Sequence, residues 1–120
     1  MKLKLNSVED MVNKMKAMNI RTVFYDVDVQ MRATPVKTAD GKDAQMYMGN
    51  ASMIITAVDK VPDAKLLLYL VVPLGSQQIS SEQDYAKYKE DCLRKAEDEV
   101  EPIGKLVPYS VEIVNGVVEL

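Results

Sequence analysis

Residues 23–32 read VFYDVDVQMR, and the alternation within them decides the fold. Val23, Tyr25, Val27, Val29 and Met31 interleave with Phe24, Asp26, Asp28, Gln30 and Arg32. Successive side chains of a β-strand point to opposite faces, so the first set predicts a buried sheet face and most of the second a face turned to water. One buried and one open face is the signature of an antiparallel sheet. Two more strands are expected, SMIITAVD at 52–59 after the Asp40-Gly41 turn and KLLLYLVV at 65–72 after a short connector, so that the three form a meander.

The length of the loop at Asp40-Gly41 sets the register. A two-residue turn would place Val27 opposite Ile54 and leave Met53 and Ile55 on the face of the aspartates. A three-residue loop, Ala39-Asp40-Gly41 with Gly41 left-handed, pairs Tyr25 with Ile55, Val27 with Met53 and Val29 with Ala51, which gives one coherent apolar face. The longer loop is the expectation, with a bulge at Gly49-Asn50 as the competing way to change parity. Pro35 removes a ladder donor and Gly49 loosens a strand, so the outer hairpin, at about 33–50, is expected to leave the regular sheet and project as an arm.

Two helices flank the meander. Ser7 is an N-cap with Asp10 three residues on, and Val8, Met11, Val12, Met15 and Met18 share one face of a helix over 8–18. After a linker at 73–79, a second helix starts near Ser80 or Ser81, buries Tyr85, Tyr88, Cys92, Ala96 and Val100, and is expected to end at Pro102. Its acidic excess reads as a solvated face. Asn115-Gly116, between the apolar runs 111–114 and 117–120, predicts a closing two-residue hairpin. The order α-β-β-β-α-β-β points to an α+β two-layer sandwich, a mainly antiparallel sheet with two helices on one face, forming a single domain over 1–120.

Composition excludes several functions. A chain of 120 residues buries roughly two thirds of its unfolded surface and needs no staple. The net charge is −3, and only Arg21, Arg32 and Arg94 among the 15 basic residues are arginines, so no basic stripe is available for nucleic acid. The longest apolar run, LLLYLVVPL at 66–74, is too short to span a membrane. The N-terminal MKLKLNSVEDM lacks the apolar core of a signal peptide, and the lone Cys92 supports neither a disulfide framework nor a cysteine-rich zinc site. A cytoplasmic protein without a cofactor is expected.

Histidine is absent. This removes histidine-based triads and histidine metal sites, because histidine alone titrates near neutrality unperturbed. Asp26 and Asp28, on one face of their strand, fall beside Asn50 and Ser52 in the favoured register, a polar group suited to a small-molecule ligand. Hard cations demand several oxygen ligands, and the same residues also suit a plain solvated face, so no metal is assigned. Cys92 on a helix stripe reads as a buried, inert thiol. Gly75-Ser76 before a helix start lacks the glycine pattern of a phosphate loop. No catalytic residue is assigned, and the balance is against an enzyme.

The strand at 65–72 is apolar on both faces, and Ile54, Tyr69 and Val71 fall on the side away from the helices. Such a patch needs a cover, either a second subunit or the C-terminal hairpin. Met46, Tyr47 and Met48 in the arm suit adaptable contacts. The expected function is a non-catalytic protein-interaction module that forms a homo-oligomer. The alternative is a small-molecule binding or sensing domain with its pocket on the second sheet face.

Overall fold

The computed structural model describes residues 1–61 and 63–118. Along the chain lie β1 (Lys2–Lys4), α1 (Val8–Met18), β2 (Thr22–Lys37), β3 (Asp43–Val58), β4 (Leu67–Ile79), α2 (Glu82–Leu106) and β5 (Glu112–Asn115). The strands form one sheet in the order β1-β4-β3-β2-β5. Both helices bury their apolar stripes in one core against the same sheet face, through Met11, Met15, Cys92, Ala96 and Ile103 on the helices and Val23, Met53, Ile55 and Leu68 on the sheet. The fold is a mixed α+β sandwich.

Local signals act as their chemistry dictates. The hydroxyl of Ser7 accepts from the Asp10 amide at 3.1 Å, and that of Ser81 accepts from the Asp84 amide at 3.1 Å, so each helix start has one of its unpaired donors satisfied. The β2–β3 ladder pairs Tyr25 with Ile55, Val27 with Met53 and Val29 with Ala51, without interruption from Thr22↔Val58 to Lys37↔Asp43. At the tip the Thr38 amide donates to Lys42 O at 2.9 Å and the Gly41 amide to Thr38 O at 2.9 Å, which encloses a three-residue loop. Gly41 is left-handed, with φ +82°.

Five expectations need correction. The sheet is antiparallel only in its β2-β3-β4 centre; β1 runs parallel to β4 and β5 parallel to β2. The cause is connectivity: a helix after a strand returns the chain to the end where that strand began, so the next strand runs the same way. Asn115-Gly116 makes no tight hairpin. Neither residue has the positive φ that such a turn requires, β5 pairs with β2 instead, and Val117 and Val118 are not in a strand. The remainder of that expected strand, Glu119 and Leu120, lies outside the described residues.

Residues 73–79 are not a linker but the outer half of β4. A bulge between the pairs Ala51↔Gly75 and Ser52↔Pro73 leaves Leu74 as the extra residue, and Gly75 takes φ +107° beside it. The insertion switches the parity of β4, so that Leu68 and Leu70 before it, Leu74 within it and Ile79 after it are all buried on the helix side. Finally, α2 passes through Pro102 to Leu106. Pro102 is exposed, where water can solvate the carbonyl it displaces, and continuation of the helix buries Ile103.

Gly49 and Pro35 do not break the ladder either. An alanine Cβ at Gly49 would stand 2.5 Å from Cε2 of Tyr88, so the glycine is where the ring of α2 rests directly on β3. Pro35 pairs with Gln45 on a strand with no outer neighbour at that point among the described residues, where its missing donor costs no sheet bond.

Candidate functional site

The polar residues singled out in the sequence share the sheet face opposite the helices. Asp28 stands across from Ser52, Asp26 from Ile54 and Gln30 from Asn50, as the uninterrupted register requires. Gln30 donates from Nε2 to Asp28 Oδ2 at 3.0 Å, and Ser76 of β4 donates to Asn50 Oδ1 at 3.2 Å. The four do not converge on one cavity. Asp26 borders a cavity of about 310 Å³ with Ile54, Thr56 and Tyr69, closed on one side by the segment Gly116–Val118. Asn50 lines a shallow depression of about 590 Å³ with Gln30, Arg32 and Met48. Ser52 and Asp28 line neither.

The apolar candidates divide by face. Ile54, Tyr69 and Val71 lie on the face away from the helices, with Ile54 paired to Val71 and Thr56 to Tyr69. Met46 and Met48 join them, half-buried, opposite Thr34 and Arg32. Tyr47 lies on the helix side, as strand alternation demands. It borders a second groove, of about 440 Å³, with Met31, Ile79 and Tyr85 at the start of α2. The described part of the C-terminal segment, up to Val118, covers the end of the outer face near Thr56 and Val58, which are buried, whereas Ile54 and Val71 stay exposed.

Beyond Ile79 the hairpin continues as a two-stranded ribbon, Thr34 to Lys37 against Asp43 to Met46. Its tip is tied by short-range chemistry. Thr38 Oγ1 donates to the Asp40 carboxylate, the Lys42 amide donates to the same oxygen at 3.3 Å, and Lys37 forms an ion pair with Asp43 at 3.0 Å. The Thr38 hydroxyl first, then the Lys42 amide, hold the Asp40 carboxyl below its ordinary range.

Where the ribbon meets the body, Tyr88 and Cys92 are buried side by side in α2. The Tyr88 hydroxyl donates to Gly75 O at 2.7 Å. Burial, reinforced by the neighbouring Cys92, pushes its pKa up to about 12, so at neutral pH it is a donor fastening α2 to the bulge. Among the described residues no three Asp, Glu or Cys side chains gather closely enough to hold a metal ion. No helix among them is long and apolar enough to cross a membrane.

The outer edge of β2 escaped the sequence reading. β5 pairs with β2 only from Thr22 to Tyr25, and past that point the strand has no neighbour on that side among the described residues. The signal was present in Pro35, which a strand interior tolerates only at an edge. Comparison with models of known protein families finds no match to this sequence, and a search of curated proteins finds none either.

Proposed function

We propose that this chain is a non-catalytic protein-interaction module that assembles with copies of itself through the projecting hairpin and the sheet face turned away from the helices. One observation carries the reading: Met31 and Tyr47 on the hairpin, and Ile54 and Val71 beside it, stay 42–49% exposed. The molecule that presents them is drawn out to 61 × 26 × 23 Å, with a radius of gyration of 18.0 Å. A compact chain of this length would have a radius of about 14 Å. A two-stranded ribbon is marginally stable alone in water, so contact with a second copy supplies the burial that the hairpin lacks. The lone, buried Cys92 agrees with a reducing, cytoplasmic setting.

Sedimentation velocity over a dilution series tests the proposal. The parent chain should associate, and joint replacement of Met46, Tyr47 and Met48 by Ser should shift it toward monomer with little change in circular dichroism. A parent chain that stays monomeric at high concentration overturns it.

The cavity beneath Gly116–Val118 favours a second reading, a small-molecule binding or sensing domain. Its volume of about 310 Å³ falls at the lower end of known ligand sites, and Asp26 and Thr56 supply polar contacts in an apolar lining with Ile54 and Tyr69. A thermal-shift screen of small molecules tests it. A ligand whose stabilisation vanishes in Thr56→Leu supports this reading.

A further inference from the structure

We infer that two copies of the chain join by antiparallel pairing of their β2 outer edges, with Gln30 of one copy facing Gln30 of the other. The inference rests on the self-assembly just proposed and adds to it a seam along the β2 edge of the hairpin, outside which Ile54 of β3 and Val71 of β4 remain.

The two outer edges of the sheet are treated differently. On β4 the edge is occupied by β1 from Leu67 to Tyr69, then broken by Pro73 and the bulge. The carbonyls beside the bulge are already taken, Leu74 O by Lys95 Nζ at 3.4 Å and Gly75 O by the Tyr88 hydroxyl at 2.7 Å. These are the means by which natural sheets prevent edge-to-edge association. Among the described residues the β2 edge has none of them between the end of β5 and Pro35.

Hydrogen-bond parity shows which groups are open. Glu112 donates to Arg21 O and Gly116 to Tyr25 O, so the odd-numbered residues of β2 turn their amides and carbonyls outward. Val27, Val29, Met31 and Ala33 therefore present an open ladder that ends where Pro35 has no amide. Antiparallel pairing about Gln30 uses that whole stretch and no more. It sets Val27 against Ala33 of the second copy and Val29 against Met31.

Charge selects the same arrangement. Asp26 and Asp28 lie on one side of Gln30 and Arg32 on the other, all on the outer sheet face, and none of the three forms an ion pair within the chain among the described residues. Pairing about Gln30 brings Asp28 opposite Arg32 of the second copy twice, at non-hydrogen-bonded positions where side chains approach most closely, with Asp26 on the diagonal. Parallel pairing would set aspartate against aspartate. On the helix side, the half-exposed Met31 is covered by Val29 of the second copy.

The test is Gln30→Cys in the full chain with oxidised glutathione. Cys92, at 1% exposure, does not compete in the folded protein. Cross-strand Cβ atoms at such a position lie about 4.5–5.5 Å apart, close to disulfide reach, so Gln30→Cys should yield a disulfide-linked dimer, whereas Asp28→Cys, far from its own copy, should not. In parallel, Arg32→Asp should weaken association about tenfold by turning two attractions into repulsions, and the exchange Asp28→Arg with Arg32→Asp should restore it. A chain that associates without cross-linking at Gln30, and whose association ignores both charge variants, overturns this inference and leaves self-assembly standing. A chain that remains monomeric overturns both.

Discussion

Replacing Gly49 with alanine tests how α2 is seated on the sheet. The added Cβ would lie 2.5 Å from Cε2 and 2.8 Å from Cδ2 of Tyr88, against the roughly 3.5–4.0 Å that carbon atoms prefer. The ring must retreat by about 1 Å. It is buried and held at its far end by the 2.7 Å bond to Gly75 O, so retreat strains the core or breaks that bond. Overpacking costs about 1–3 kcal/mol and loss of the hydrogen bond about 1 kcal/mol, while alanine recovers roughly 0.5–1 kcal/mol of strand preference over glycine. The net is a destabilisation of about 2 kcal/mol. At about 2.1 cal/mol/K of unfolding entropy per residue, a chain of 120 residues should lose about 8 °C in melting temperature. The assay is thermal and urea unfolding of the parent, both single variants and Gly49→Ala with Tyr88→Ala. In the Tyr88→Ala background the glycine replacement should become neutral or slightly stabilising. An equal cost in both backgrounds would refute the contact.

Gly41, at φ +82° with open space around it, should carry only backbone strain when changed to Val, about 1–2 kcal/mol. The strain should accelerate amide exchange in the ribbon about tenfold, and unchanged exchange there would contradict the left-handed tip. The Asp59 carboxylate accepts from the Lys65 and Leu66 amides at 3.0 and 3.2 Å, and these bonds, Leu66 first, hold its pKa below the ordinary 3.8. A depressed folded pKa contributes stability fully above the unfolded value and loses it as pH falls through the folded one, so the advantage of the parent over Asp59→Asn in urea melts should hold from neutral pH down toward the ordinary 3.8 and fade as pH falls below it. An advantage constant with pH would remove Asp59 from the acid response. Cys92→Ala should cost about 1 kcal/mol, and the parent thiol should react with a labelling reagent only at the rate of chain opening. Rapid labelling of the folded chain would show that it is not sealed in the core.

What the sequence determined by itself is whatever neighbouring residues decide. The alternation from Val23 to Arg32, the serine caps of both helices and the loop at Ala39-Asp40-Gly41 are local, and the last follows because only one loop length keeps Val27 and Met53 on one face. The grouping of Asp26, Asp28, Asn50 and Ser52 on the outer face was legible for the same reason, being a consequence of register alone. Tertiary structure decided the rest. Pro73 and Gly75 read locally as a linker, yet burying Ile79 beneath α2 favours a bulged strand, a gain visible only once the helix lies on the sheet. Gly49 read as a weak point because the ring that needs its open face is far along the chain. Pro102 read as a helix end until the burial of Ile103 offset its local cost. The parallel edges, the division of Asp26 and Asn50 between two cavities and the open flank of β2 likewise depend on which strands lie side by side. No short window of residues contains that information, because edge and centre are properties of the assembled sheet.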